Sequence, residues 1–295
     1  MRPSTPEPTL YLLNLPHTLA NMHLFIRRTT QCKPEPGALK SRYVEALVQV
    51  QGHALSREAR PVVGFLERQV ARERAPFETG FGPIRRLTGP EQTEVRERVD
   101  AALALLARLD RRLHDWVCLL LTDILVAKGD KGAAITAGWM LGVLNLLPLP
   151  EWDEVRYAEH LLHETLHNNV FLGERVSPLY LAPEQVNAPE ARVLSAIREG
   201  QLRPLDGAFH SACVSVGVAY LHYLRGDDEA VIRYLRQLVG CVQGLSSKAH
   251  LFTDYANAGV AQLQGFLARP DFEALGRGLE DPRWMLFDAK SSLHC

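Results

Sequence analysis

The stretch Y-A-E-H-L-L-H-E-T-L-H-N-N-V-F-L, residues 157–172, contains H-E-x-x-H as His163, Glu164 and His167. Residues four apart lie on one face of an α-helix, one turn above each other. Two imidazoles at that spacing can point at one cation without backbone strain, so the motif has chemical meaning only if this segment is helical. Glu164 stands about a hundred degrees round the helix from His163. That puts its carboxylate beside a bound ion, within reach of a bound water or a reacting group. The pattern predicts a helix from Trp152 to about Leu172, opened by the acids Glu151, Asp153 and Glu154. Val155, Ala158, Leu162, Thr165, Leu166 and Val170 form an apolar stripe, and the histidines sit along its edge, where a cavity wall would be. His160 falls near the same edge and is either part of the site's surroundings or an accidental neighbour. The plain alternative is a solvated helix that happens to be rich in histidine; helical context and an amphipathic edge favour a metal.

The rest of the chain reads as mainly α, of α+β type: helices with a small β element beside the HExxH helix. Helical spacing of Tyr43, Ala46, Leu47 and Val50 runs from about Leu39 to Arg74, broken at Arg60-Pro61. The Gly- and Pro-rich segment 77–90 is a loop, and residues 88–129 give a long helix or helix pair ending at Gly129. The run A-A-I-T-A-G-W-M-L-G-V-L-N-L-L-P-L-P, residues 133–150, suggests a strand or short hairpin. Residues 173–190 read as loop, 191–200 as a short helix stopped by Gly200, and the remainder as an amphipathic helix near His210 followed by two or three more. A boundary near residue 128 separates a helical N-terminal region, 1–128, from an HExxH region, 129–295. The first either recognises a substrate or its leader or merely covers the site.

Composition narrows the function classes. With 46% hydrophobic and 23% charged residues over 295 positions, the chain is an ordinary globular sequence with enough length for a real core. The formal net charge is −1 and basic residues are interleaved with acids, so a nucleic-acid partner held through phosphates is not indicated. No signal-peptide pattern opens the chain, and the longest apolar run, W-V-C-L-L-L-T-D-I-L-V-A, is short for a bilayer and contains Asp123, so no membrane partner is expected. Five widely spaced cysteines (Cys32, Cys118, Cys213, Cys241, Cys295) without C-x-x-C fit reduced thiols, and a cytoplasmic location is expected. Ser177 and Ser211 lack acid–base company, and no G-K-[ST] or G-x-G-x-x-G opens a helix.

Two histidines leave a metal site incomplete, since catalytic sites generally have a third protein ligand and an open position. The metzincin continuation fails, because its Gly and His positions hold Val170 and Gly173. A gluzincin would draw a Glu from about twenty residues on, where Glu184 and Glu190 stand. That reading is a zinc peptidase in which Glu164 is the general base on a Zn(II)-bound water. A third reading is a partner-binding module with a vestigial HExxH. His210, in R-P-L-D-G-A-F-H, is a further candidate ligand, placed in the first turn of its helix; Glu199 is another.

The segments G-V-L-N-L-L-P-L-P-E-W-D-E-V-R-Y-A-E-H-L-L-H-E-T-L-H-N-N-V-F-L, S-P-L-Y-L-A-P and R-P-L-D-G-A-F-H-S-A-C-V-S-V-G-V-A-Y-L carry a resemblance. Over roughly residues 130–225 the chain resembles the HExxH-containing peptide-modification proteins, described as 2-oxoglutarate-dependent HExxH-type peptide β-hydroxylases. The specific part is R-P-x-x-G-x-x-H, present as Arg203, Pro204, Gly207 and His210. The resemblance implies Fe(II), 2-oxoglutarate and O2, and a residue of a ribosomally made precursor peptide as acceptor. His163 and His167 would ligate the iron, with His210 or a carboxylate such as Glu199 as the third ligand. Non-haem iron oxygenases need such a facial set with open positions, and imidazole suits iron as well as zinc. The far carboxylate of 2-oxoglutarate needs a fixed cation, and the planar fork of an arginine binds it bidentately. Arg203 is the first candidate and Arg198 the second. Glu164 would then orient a bound water or the substrate.

Overall fold

The computed structural model describes residues 13–32, 34, 37–52, 58–65 and 84–280. Among them the fold is mainly α with a small β element, as the sequence pattern predicts. The helices are α1 (Leu15–Thr30), α2 (Leu39–Gln51), α3 (Gly89–Leu109), α4 (Arg111–Leu120), α5 (Glu154–Val176), α6 (Leu205–Leu224), α7 (Asp228–Ser247), α8 (Asp254–Ala268) and α9 (Phe272–Gly278). The strands are β1 (Val62–Phe65), β2 (Asp123–Val126), β3 (Ala133–Ile135), β4 (Val143–Leu147), β5 (Val193–Leu194) and β6 (Leu202–Arg203). The described residues divide into two compact units, one from His23 to Phe171, the other up to Met22 and again from Leu172 onward. The division falls within α1 and within α5. No helix among the described residues is long and apolar enough to cross a membrane.

The unit that holds the HExxH motif is built on a four-stranded sheet of order β1-β2-β4-β3. β1 and β2 are parallel, β2 and β4 are parallel, and β3 returns antiparallel to β4. β4 is buried at every position, as expected of a strand covered on both faces. The expected hairpin within 133–150 is therefore present as β3 and β4. Two helical expectations give way here. Residues 62–65 form β1, because Pro61 stops a helix and Val62-Val63 favours extended backbone. The helix expected to run to Gly129 ends at Leu120, and Asp123–Val126 becomes β2, whose burial alternates along its four residues. A short apolar run with Ile124 and Val126 reads either way until a strand partner decides it. The rest of the helix expected through Arg74 and the first part of the loop at 77–90 lie at residues 66–83, outside the described residues.

Local chemistry fixes the helix starts. α3 opens with a capping box: the Glu91 carboxylate accepts from the Thr88 N–H at 2.7 Å, and Pro90 occupies the first turn. α4 opens at Asp110, whose carboxylate accepts from the Arg112 N–H at 2.9 Å. The end of α4 is closed by a lysine. The Lys40 ammonium, reaching from α2, donates to the carbonyls of Cys118 (2.7 Å), Leu119 (2.9 Å) and Leu121 (2.6 Å). Three donors meet three carbonyls at the negative end of the helix. Burial pulls Lys40 down to about 7, while Cys118 and Asp123 act to raise it.

In the other unit α6 is buried from Ala208 to His222, so the helix carrying His210 is central and apolar all round, not amphipathic as its sequence suggested. His210 is its sixth residue, one turn further in than expected. The short helix expected over 191–200 is absent. Burial alternates from Ala191 to Ser195, β5 pairs with β6, and the Ser195 hydroxyl accepts from the N–H of Ile197 (3.3 Å) and Arg198 (3.1 Å). That side-chain turn competes with helix formation. α5 runs to Val176, four residues beyond the expected end at Leu172. α7, α8 and α9 supply the three helices expected last.

Replacing Lys40 with Met should lower stability by about 2–3 kcal/mol, because three carbonyls at a helix end lose a charged donor. Urea unfolding measures this; a loss below about 0.5 kcal/mol would show the ammonium to be dispensable.

Candidate metal centre

α5 is buried along most of its length, and its sequence explains which side is not. His160, His163 and His167 are each partly exposed, whereas Leu161, Leu162, Glu164, Thr165, Leu166 and Asn168 are buried. The spacing 160, 163, 167 is one helical stripe. The ring centroids of His163 and His167 are 5.0 Å apart with their planes at 59°. This is the side-by-side arrangement that the i, i+4 spacing predicts. Phe171 continues the stripe, with its ring 6.4 Å from that of His167. Gly138 allows the approach of that ring: a Cβ there would stand 2.9 Å from the Phe171 Cδ1.

Glu164 lies further round the helix, toward the interior. Only 3% of it is exposed, and its carboxylate accepts from the Thr136 backbone N–H. Its Oε1 stands 3.9 Å from the His163 Nε2. Burial pushes its acid up to about 8, the Thr136 bond acting against this. One turn on, Asn168 extends the polar seam. Its Oδ1 accepts from the Gly142 N–H (2.7 Å), and its Nδ2 donates to the Thr136 Oγ1 (2.8 Å) and the Glu164 carbonyl (2.9 Å). Thr136 in turn donates its hydroxyl to the Val143 carbonyl at 2.9 Å. The motif thus interleaves two i, i+4 pairs, His163/His167 toward the open side and Glu164/Asn168 toward the sheet.

His160 resolves as a packing residue. Its ring stacks on Trp152, centroids 4.3 Å apart at 19°, and its Nε2 is buried without a hydrogen-bond partner among the described residues. Burial pulls it down to about 3, helped by Arg156 and His163, with Glu159 opposing.

The remaining candidates lie in the other unit. His210 is 4% exposed, and its Nε2 faces the Glu174 Oε1 at 3.4 Å. Arg203, on β6, lays its guanidinium against the first turn of α6: a Cβ on Gly207 would sit 3.1 Å from the Arg203 Nε. The glycine of R-P-x-x-G-x-x-H is thus explained by the arginine of the same motif. Burial and the neighbouring Arg198 lower Arg203, and Asp206 raises it. Neither guanidinium has a hydrogen bond or ion pair among the described residues. Glu184, Glu190 and Glu199 are exposed. Among the described residues no three His, Cys, Asp or Glu side chains are gathered as a metal-holding group. The donor chemistry of His163 and His167 fits a borderline divalent cation such as Fe(II) or Zn(II).

Thr136, Asn168 and Glu174 escaped the sequence reading. Asn168 repeats the four-residue step from Glu164 and could have been found that way; Thr136 and Glu174 act through contacts no local spacing reveals. No protein-family model matches the chain, and no curated protein matches it.

Buried groups in the HExxH unit titrate in opposite senses. His160 is lowered from its ordinary 6.5 to about 3, so stability falls as pH drops through that window. Glu164 is raised from 4.5 to about 8, so its contribution is full below 4.5 and is lost as pH rises toward 8. In metal-free protein Glu164 should therefore lower stability as pH rises from 6.5 to 8, by at most about 1.4 kcal/mol per pH unit, while Lys40, lowered from 10.5 to about 7, acts in the opposite sense above pH 7. The stability difference between wild type and Glu164→Gln should therefore shrink across this range, measured by urea unfolding. Parallel curves for the two proteins would refute the assignment.

Proposed function

We propose that the chain is an Fe(II)/2-oxoglutarate-dependent β-hydroxylase acting in the cytoplasm on a residue of a ribosomally synthesised precursor peptide. The observation that carries this reading is the division of labour on α5. Two imidazoles stand together on the partly open stripe, while the carboxyl between them is turned into the protein and held by the Thr136 N–H. A hydrolytic base must face its water, and Glu164 is 3% exposed. The zinc peptidase is weakened further because Glu190 and Glu184 are solvent-facing.

His163 and His167 would hold the iron, with His210 as the third ligand that the resemblance implies. The bound ion and 2-oxoglutarate would together supply the activation of O2. Arg203 supports the oxo-acid: it is a guanidinium fixed against Gly207, beside a second cation, without a hydrogen-bonded acceptor among the described residues. Such a fork takes a carboxylate bidentately. Arg198 would add charge rather than geometry, since it is exposed. Glu164 would hold the helix register through Thr136 and so orient His163. The free thiols of Cys118, Cys213 and Cys241 are in keeping with a reducing compartment.

Anaerobic loading with Fe(II) followed by 2-oxoglutarate should produce a visible charge-transfer band that His167→Ala abolishes and Arg203→Ala weakens. Precursor peptides should then gain one oxygen with matching succinate release. Tightly held zinc, no band, and peptide cleavage without 2-oxoglutarate would overturn the reading in favour of the peptidase.

A further inference from the structure

His210 is a buried imidazole on a helix that is buried on all sides, so the placing of its ring proton is a structural question. A buried ring nitrogen without a partner would cost about 1–3 kcal/mol. The group facing its Nε2 is the Glu174 Oε1, at 3.4 Å. A carboxylate only accepts, so it selects the form of the imidazole that carries a proton on Nε2. At this distance the pair is longer than a closed charge-assisted bond of about 2.8 Å, and acceptor chemistry rather than bond strength decides the tautomer.

The backbone that carries Glu174 is itself held in place. A Cβ on the preceding Gly173 would meet the Tyr255 hydroxyl at 3.0 Å and the Asn21 Nδ2 at 3.7 Å. That hydroxyl and amide belong to a bonded trio: the His17 Nε2 is 2.8 Å from the Tyr255 hydroxyl and 3.1 Å from the Asn21 Nδ2. The last turns of α5 therefore rest against a fixed polar cluster within the same unit, which limits where the Glu174 carboxylate can stand. Beyond the pair, the buried Tyr180 hydroxyl has no hydrogen-bond partner among the described residues, and the carboxylates of Glu174 and Asp206 both act on it. Asp206 lies one helical turn before His210 on α6.

We infer that Glu174 is the positioning residue of His210: it holds the imidazole in one orientation and places its proton on Nε2. Where metal-binding histidines have such a carboxylate partner, the partner fixes tautomer and ring orientation, and its loss lowers metal affinity about 10–100-fold. The consequence for metal rests on the proposed role of His210 as a ligand; the tautomer does not.

The test uses the full chain labelled with 15N-histidine, first without metal. The His210 resonances, assigned by their loss in His210→Phe, should show an Nε2–H imidazole. Glu174→Ala should shift them to the Nδ1–H form or to a mixture, and Glu174→Gln, which retains an acceptor oxygen, should restore the wild-type pattern. Fe(II) titration of the same samples should give an affinity at least tenfold lower for Glu174→Ala than for wild type, with Glu174→Gln between them. Unchanged His210 signals in Glu174→Ala would overturn the inference. If the tautomer moves as expected but wild type takes up no Fe(II), the positioning role stands and the iron reading above is what fails.

Discussion

The amide of Asn168 is the interaction on which the placement of the candidate centre depends. Its oxygen accepts from Gly142 and its nitrogen donates to Thr136 and to the Glu164 carbonyl. It thereby ties α5 to the two segments that lead out of β3 and into β4. Gly142 has no freedom to hold a side chain: its φ is +80°, and a Cβ would come within 2.9 Å of the Leu47 Cδ1 and 3.0 Å of the Thr122 Oγ1. Only glycine meets both demands, positive φ and close approach. Once Asn168 is docked there, the rotation of α5 about its axis is fixed. Glu164, one turn earlier, then faces Thr136, and His163 and His167 lie on the adjoining, partly exposed stripe.

Much of this was readable in the chain, and the parts that were not share a cause. The HExxH helix and the hairpin within 133–150 are local patterns, each completed by contacts three to five residues apart or by an adjacent turn. β2 is not local. The run after Leu120 is apolar whichever structure it adopts, and it becomes a strand because β1 and β4 flank it in parallel. Residues 191–195 alternate only in burial, with Val193 inside and Leu194 outside, which their apolar Val-Leu pair does not reveal, and Gly200 suggested a helix end. α6 misled in the opposite direction, since its small and apolar residues fill every face and the one His near its start looked like an edge. Of the candidate site, the pairing of His163 with His167 followed from spacing alone. The inward turn of Glu164 did not, because it depends on Thr136, and neither did the partner of His210.

The inward turn has an energetic meaning. A carboxyl raised from 4.5 to about 8 is kept largely neutral at neutral pH, and its burial is opposed only in part by the Thr136 N–H. Replacing a buried polar network of this kind with well-packed apolar groups is often neutral or stabilising. Retaining it favours specificity of register, since a leucine at 164 would pack in several rotations, whereas the carboxyl and the amide at 168 accept one. The two interleaved pairs are then coupled: any rotation that swung Glu164 toward solvent would unpair Thr136 and Asn168 and carry both imidazoles away from their common side.

The same logic separates the two chemistries that the motif allows. In a hydrolase the glutamate must shuttle protons between water and leaving group, so it needs contact with that water. In an oxygenase the ligand set must stay rigid while cosubstrate and O2 occupy the open positions, and a glutamate that fixes the helix serves that end. Glu164 is 3% exposed and faces the backbone of Thr136, just after β3. Arg203 carries the complementary argument. A guanidinium held against Gly207 is lowered by burial and by Arg198, with Asp206 opposing, and a bound anion would favour it further. A peptidase acting through Glu164 has no need of that cation, whereas a dicarboxylate cosubstrate does.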